Sequence, residues 1–287
     1  MQQPAMWLKE YELLLENKTR IAAFVSKYLD QGYQVIYTGA GTSAYIGDVL
    51  EFALKGTSFC GGAAVPTTDI ITHPGAWLQP DKKVLLVSFA RSGNSPESLG
   101  AIRIANSICK NIAHIYITCN AEGELARTAG ADNTLLLLLP AETNDKSLAM
   151  TSSFSTMLLT GMLVADIANI ESKRSQIEAL AANAEKILAA ADGLVPAIAA
   201  RTFSRAVFLG FRHGPKAVIN ENSLLVYLFS EDPAVRRYET DLVAQINANN
   251  KVVAQIAVSA GSVEVPGVKF DLEAHVGTGN GIYGCIP

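Results

Sequence analysis

The sequence predicts an α/β protein of two lobes, each a doubly wound parallel sheet flanked by helices in a flavodoxin-like three-layer sandwich. Hydrophobic residues make up 49% of the 287 residues and aromatic residues only 7%, a balance typical of aliphatic strands buried on both faces. Short apolar runs such as Lys83–Phe89 and His114–Cys119 alternate with segments of helical apolar spacing. The alternation restarts at Arg205–Gly210, which is why we expect a second lobe.

Four segments follow from this pattern. Residues 1–32 are predicted as an N-terminal helix, because apolar side chains recur at helical spacing over Trp7–Leu29. Residues 33–170 are predicted as a first lobe that ends in an apolar helix, Ser147–Ile170. An alanine-rich linking helix covers 171–200, and an apparently incomplete second lobe covers 201–287.

Two loops of the first lobe have the composition of a phosphate site. Gly39–Ser43 and Ser88–Ser98 each follow a predicted strand and open a helix, and both are rich in glycine and serine. A helix N-terminus supplies free N–H groups to an anion, and open α/β sheets bind ligands beyond the carboxyl ends of their strands. Neither loop fits a Walker P-loop or a complete dinucleotide fingerprint. The alternative is that these residues serve only as caps and turns.

The second lobe is predicted to lack this site. QVIYTGAG is similar to RAVFLGF, and KVLLVSFARSGNSPES to SLLVYLFSEDPAVRRY, as in an internal repeat. Where the first half has Arg91 and serines, the second has Ser230, Glu231 and Asp232, whose carboxylates would repel an anion.

Composition excludes several other classes. The net charge is −4 with no basic tract, which disfavours nucleic-acid binding, and no apolar run reaches the length of a membrane span. The four cysteines form no C-x-x-C pair, so we expect no metal site. A cytoplasmic protein that binds neither nucleic acid nor membrane is the expectation.

The motifs GAGTS, SFARSGNSPES and ITCN together resemble the sugar isomerase (SIS) family, and Phe211–Asn220 (FRHGPKAVIN) resembles the histidine loop of its isomerases. The combination, over nearly the whole chain, is most similar to the bacterial members that act on D-galactosamine 6-phosphate and tagatose 6-phosphate. The resemblance implies a phosphate site formed by Thr42, Ser43, Arg91, Ser92 and Ser95, although Arg91 could equally be a solvated surface residue.

The resemblance also implies the rest of the site. Gly41, Leu148 and Thr151 would lie beside the sugar, and His213 would open the pyranose ring as an acid and base. In related isomerases this histidine reaches the site of a neighbouring subunit, so a homo-oligomer is expected.

The expected reaction is deaminating isomerisation of D-galactosamine 6-phosphate to D-tagatose 6-phosphate plus ammonia, with no cofactor. The alternatives are a ketose/aldose isomerase that releases no ammonia and a non-catalytic sugar-phosphate binding protein.

The sequence lacks one segment that members of this family contain. Gly210 is followed directly by Phe211, although successive parallel strands need a crossover of about a dozen or more residues. Relatives carry here a longer segment that includes the glutamate acting as base. We expect residues to be absent from the printed chain at this point. The alternative is a true deletion, which would leave a catalytically inactive binding protein.

Overall fold

A computed structural model describes residues 3–146, 149–209, 219–249 and 252–275. The chain divides into two compact units, the first ending at Arg174 and the second beginning at Ser175. Each unit contains one parallel sheet with helices, in agreement with the predicted fold class.

The first unit is a five-stranded parallel sheet in the order β2-β1-β3-β4-β5. Its strands are β1 Gln34–Gly39, β2 Ala63–Ala64, β3 Lys83–Ala90, β4 Asn111–Thr118 and β5 Thr134–Leu138. Its helices are α1 Gln3–Glu16, α2 Lys18–Leu29, α3 Ala44–Ala53, α4 Thr67–Thr72, α5 Pro74–Trp77, α6 Pro96–Ile108, α7 Glu124–Arg127 and α8 Thr151–Ala165. The apolar run of β3 is buried at every position after Lys83, as expected for a central strand covered on both faces.

The N-terminal helical segment differs from the prediction of one helix. Asn17 has φ −95° and ψ 5°, and it separates α1 from α2. Its side-chain amide donates to the carbonyl oxygen of Leu13 at 2.9 Å, so the asparagine satisfies a carbonyl at the end of α1. Both helices belong to the first unit, where α1 packs against α8.

The helix predicted over Ser147–Ile170 is shorter in the structure. Helix α8 begins at Thr151 and ends at Ala165, and a 3₁₀ segment, Ile167–Lys173, follows it. Within the described residues no single helix is long and apolar enough to cross a membrane. Helix α8 and the helical segment Ile167–Asp192 reach that threshold only together, and they are bent by 114°.

The second unit contains the helices α9 Arg174–Ala199, which starts at the boundary, and α10 Pro233–Asn249. Its strands are β6 Arg205–Leu209, β7 Ser223–Leu228, β8 Ala254–Ser259 and β9 Leu272–His275. All neighbouring strands are parallel, in the order β6-β7-β8-β9. Val243 and Ile246 of α10 pack on one face of this sheet, and Ile198 of α9 packs against the other.

The connection that follows the first strand differs most between the units. Residues 40–82 join β1 to β3 and include α3 and β2, whereas residues 210–222 alone join β6 to β7. Matching RAVFL to QVIYT places Phe208 where Tyr37 lies in β1. Tyr37 is 1% exposed, with Gly47 of α3 packed on it, whereas Phe208 is 65% exposed. The described part of the second unit therefore lacks the layer that covers this position in the first.

A buried carboxyl group lies at the contact between α1 and α8. Glu10 is 2% exposed, and its Oε1 accepts a hydrogen bond from the hydroxyl of Thr160 at 2.8 Å. Its Oε2 has no partner within the described residues. Burial raises the pKa of Glu10 to about 8, and the Thr160 bond lowers it only in part. The carboxyl group is therefore mostly protonated at neutral pH.

This burial predicts a specific pH dependence of stability. Between about pH 4.5 and pH 8 the unfolded chain ionises Glu10 while the folded chain keeps the proton, so the contribution of Glu10 to the free energy of unfolding falls as the pH rises. Glu10→Gln should remove that fall, as measured by urea unfolding across this range. Glu12→Gln on the same helix is the control, because Arg174 lowers the pKa of Glu12 and its contribution is lost towards acid pH instead. A wild-type slope in Glu10→Gln would contradict the assignment.

Candidate active site

The carboxyl ends of the central strands lie at one level of the first sheet. Gly39 of β1 is in register with Phe89 of β3, and Ala90 of β3 is in register with Thr118 of β4. The loops that follow these three strands therefore leave the sheet side by side. Both predicted phosphate loops begin at this edge.

The first loop turns sharply because its backbone passes close to itself. A Cβ atom on Gly39 would lie 2.6 Å from the carbonyl carbon of Ser43, so only glycine fits there. Gly41 has φ +56°, in the left-handed region that favours glycine. The turn brings Thr42 and Ser43 to the start of α3, and both side chains line the cavity described below.

The second loop caps helix α6. The hydroxyl oxygen of Ser95 accepts the N–H of Ser98 at 3.3 Å, and Pro96 occupies the first helical position. Gly93 has φ +65°. The N–H groups of Ser92, Gly93 and Ser95 make no hydrogen bond within the described residues. Between them, the N–H of Asn94 donates to the hydroxyl oxygen of Ser92 at 3.3 Å. Free N–H groups around a left-handed glycine at a helix start are the arrangement of a backbone nest for an anion.

The loop that follows β4 holds this nest in place. The Asn120 side-chain amide donates to the carbonyl oxygen of Ser92 at 3.0 Å, and the N–H of Leu125 donates to that of Gly93 at 3.0 Å. The N–H of Glu124 donates to the side-chain oxygen of Asn94 at 2.8 Å. These bonds occupy the carbonyl oxygens of Ser92 and Gly93 and the side-chain oxygen of Asn94, while the N–H groups of Ser92, Gly93 and Ser95 stay available for a ligand.

A cavity of about 710 Å³ lies beside both loops. Six of the predicted residues line it: Thr42, Ser43, Arg91, Ser92, Ser95 and Thr151. Gly41 lies in the first loop directly before Thr42. Leu148 and His213 lie outside the described residues.

Helices α1 and α8 contribute lining residues that the sequence analysis missed. Ser153 and Ser155 come from the first turns of α8, and Gln3 comes from the start of α1. Tyr45, in the first turn of α3, also lines the cavity and is 61% exposed. The run Thr151–Ser153 at a helix start is a signal that could have indicated the two serines. Nothing in the sequence indicates Gln3, whose position depends on the packing of α1 against α8.

Arg91 hydrogen-bonds to other residues of the chain. Neither interpretation of the sequence, as a phosphate ligand or as a solvated surface residue, included these bonds. Its Nη1 donates to the side-chain oxygen of Asn144 at 2.8 Å and to the carbonyl oxygen of Asp145 at 3.0 Å. The residue is half-buried and lines the cavity. Arg91 is therefore not simply a solvated surface side chain.

In the corresponding loop of the second unit, backbone N–H groups donate to carboxylates of the same unit. The carboxylate of Asp232 accepts the N–H groups of Ala234 and Val235 at 2.8 and 3.2 Å. Glu239 accepts the N–H of Ser230 at 2.8 Å, although burial raises the pKa of this carboxyl group. Carboxylates thus occupy the positions where an anion would bind.

The described lining residues of the cavity in the first unit include no His, Asp or Glu, and Tyr45 is the one lining side chain with an ionisable hydroxyl of the phenol type. Across the described ranges, no three His, Cys, Asp or Glu side chains gather closely enough to hold a metal ion. What the described site offers is hydrogen-bond donors, a serine-rich wall and one guanidinium group.

Comparison with known proteins identifies the family. A model of the SIS domain matches residues 27–166. A provisional D-galactosamine-6-phosphate deaminase AgaS from Streptomyces coelicolor is 38% identical, over 91% of this chain and 76% of its own length. The D-galactosamine-6-phosphate deaminase AgaS of Escherichia coli is 32% identical, over 92% of this chain and 77% of its own length.

Solved structures agree with these relatives. The tagatose-6-phosphate ketose/aldose isomerase from Escherichia coli superposes with a TM-score of 0.84 at 32% identity, over 93% of this chain and 81% of that one. The alignment with the Streptomyces coelicolor relative spans 297 positions, more than the 287 residues of this chain. That relative therefore has residues inside the matched region that this chain lacks. With these identities over most of both sequences, the chain belongs to the AgaS family of SIS-domain proteins.

Proposed function

We propose that this chain binds a hexose 6-phosphate and deaminates D-galactosamine 6-phosphate to D-tagatose 6-phosphate and ammonia. The observation that carries the proposal is the nest of free N–H groups at Ser92, Gly93 and Ser95, which opens on a cavity of about 710 Å³. A cavity of that size suits a small phosphorylated ligand. The names of the relatives supply the substrate and the reaction.

In this proposal, phosphate binding fixes one end of the substrate. The phosphate accepts the N–H groups of Ser92, Gly93 and Ser95 and the hydroxyl groups of Ser43 and Ser92. The Ser95 hydroxyl instead donates to the hydroxyl oxygen of Ser98 at 2.7 Å. The opened sugar then extends towards the start of α8, where Thr151 and Ser153 line the cavity. Holding the remote phosphate keeps the reacting carbons in one position, which lowers the entropic cost of the proton transfer.

The chemistry itself moves one proton between neighbouring carbons. Ring opening gives an aldehyde at C1 with the amine on C2, and a base removes the proton on C2. Return of a proton to C1 gives the C2 imine, which water hydrolyses to the ketone and ammonia. We assign ring opening to His213, by resemblance to the family. A histidine or carboxylate base must come from outside the described lining residues, since none of those is His, Asp or Glu.

The lack of His, Asp and Glu among the described lining residues also supports a homo-oligomer. A histidine that a second copy supplies would complete the cavity, as the resemblance implies for His213.

We further infer that the two lobes arose by duplication, since the strand orders β1-β3-β4-β5 and β6-β7-β8-β9 correspond and Pro96 and Pro233 each open the helix after the second matching strand.

A non-catalytic sugar-phosphate binding protein is the second candidate. Two observations favour it: the described cavity lining has no His, Asp or Glu, and only residues 210–222 join β6 to β7. It would bind the same ligand in the same nest and differ only in turnover.

Phosphate binding can be tested in the loop itself. The double variant Ser92→Ala, Ser95→Ala should bind inorganic phosphate and tagatose 6-phosphate about tenfold or more weakly by calorimetry, because a hydroxyl donor to a charged ligand is lost at Ser92 and the cap that holds the start of α6 is lost at Ser95. Ser230→Ala in the corresponding loop of the second unit is the matched control and should bind as the wild type does. Equal weakening in both variants would refute the assignment of the site to the first unit.

Turnover separates the two candidate functions. The wild-type chain, incubated with D-galactosamine 6-phosphate, should release ammonia and ketose phosphate in equal amounts, and His213→Ala should abolish both. Mixing His213→Ala with the Ser92→Ala, Ser95→Ala variant should restore part of the activity if the histidine crosses between subunits. Tight binding of tagatose 6-phosphate with no ammonia and no isomerisation would instead establish the binding protein.

A further inference from the structure

One side chain links the phosphate nest to the wall of the cavity that faces the sugar in the proposed function. Arg91 directly precedes Ser92, and its Nη1 bonds to Asn144 and to the backbone of Asp145. These partners lie 53 and 54 positions further along the chain, in the segment that leads into α8. The two loops are therefore joined by a charge-assisted contact.

Asp145 continues this link to helix α8. Its Oδ2 accepts the N–H of Ser153 at 2.8 Å and the Ser153 hydroxyl at 3.0 Å. A carboxylate at a helix start satisfies free N–H groups and interacts favourably with the helix dipole. The same first turn of α8 lines the cavity through Thr151 and Ser153. The position of that wall thus depends on where Asp145 is held.

The backbone of Arg91 is fixed as well. Its carbonyl oxygen accepts the N–H of Cys119 at 3.2 Å, which ties it to the end of β4. In the described part of the chain, Nε and Nη2 of Arg91 have no hydrogen-bond partner. A guanidinium group can donate to a protein carbonyl and to an anion at once, because its five N–H groups form a rigid fork. A lysine at this position has a single flexible ammonium group.

We propose that Arg91 is a positioning residue that sets the start of α8 relative to a bound phosphate. Phosphate in the nest takes the free donors of Arg91, and Nη1 holds Asn144 and Asp145, so phosphate binding and the alignment of the sugar wall are coupled. This inference rests on the proposed phosphate site and goes beyond it, since it assigns to Arg91 and Asn144 an effect on turnover through α8. Asn144 is the informative partner, because it is not among the residues that line the cavity.

Hydrogen exchange with inorganic phosphate as the probe tests the coupling directly. In the wild type, phosphate should slow amide exchange in the first turn of α8, which includes Ser153. Asn144→Ala should bind phosphate within about twofold of the wild type, yet lose most of that protection. Arg91→Gln should lose the protection and also bind phosphate more weakly. Arg103, whose side chain is exposed on α6, supplies the control, and Arg103→Gln should behave as the wild type does.

Kinetics give an independent readout. With D-galactosamine 6-phosphate, Asn144→Ala should lower kcat by about tenfold at nearly unchanged affinity for phosphate, and the double variant with Arg91→Gln should be no slower than Arg91→Gln alone. If Asn144→Ala keeps both the wild-type kcat and the phosphate-induced protection, the coupling is refuted while the phosphate site stands. If the wild type binds no phosphate, the proposed site itself is wrong, and the inference falls with it. Thermal melting of each variant identifies any general loss of folding.

Discussion

The in-register parallel pairing of β1, β3 and β4 is the constraint on which the site depends. It sets Gly39, Ala90 and Thr118 at one edge of the sheet, so that three loops leave side by side. Because the loops are adjacent, the Asn120 amide and the N–H of Leu125 can donate hydrogen bonds to carbonyl oxygens of the second loop. These bonds hold the loop while the N–H groups of Ser92, Gly93 and Ser95 stay free. We attribute the proposed anion site to strand register more than to charge. Arg91 is its one lining guanidinium group, and that group is already bonded to Asn144.

The two units have the same strand order at their centres but different chemistry at the strand ends. In the first, glycines at positions 39, 41 and 93 let the backbone approach itself and turn. In the second, three residues, Ser230–Asp232, separate Phe229 from the helix-opening Pro233, and carboxylates bond to the loop N–H groups. The short connection at residues 210–222 adds to the contrast, because Phe208 stays exposed where Tyr37 is covered. These differences support the proposal that the anion binds in the first unit.

The sequence allowed much of this to be predicted, because buried parallel strands read as apolar runs and phosphate loops read as glycine and serine after them. The two loops were predicted in this way, whereas the family resemblance implied Thr42, Ser43, Ser92 and Ser95 as individual phosphate ligands. The lining residues Gln3 and Ser153 and the partners of Arg91 were not predicted. Their positions depend on the packing of α1 against α8 and on contacts between residues more than fifty positions apart, which no local pattern records. His213 and Leu148 remain expectations from the family resemblance alone.

The most direct test of this account is a crystal structure of the chain with bound tagatose 6-phosphate. We predict that the phosphate group lies within hydrogen-bonding distance of the N–H groups of Gly93 and Ser95, with the sugar directed towards Thr151 and Ser153. A phosphate bound at Ser230–Asp232, or bound in the first unit without contact to the loop from Arg91 to Ser95, would contradict the account.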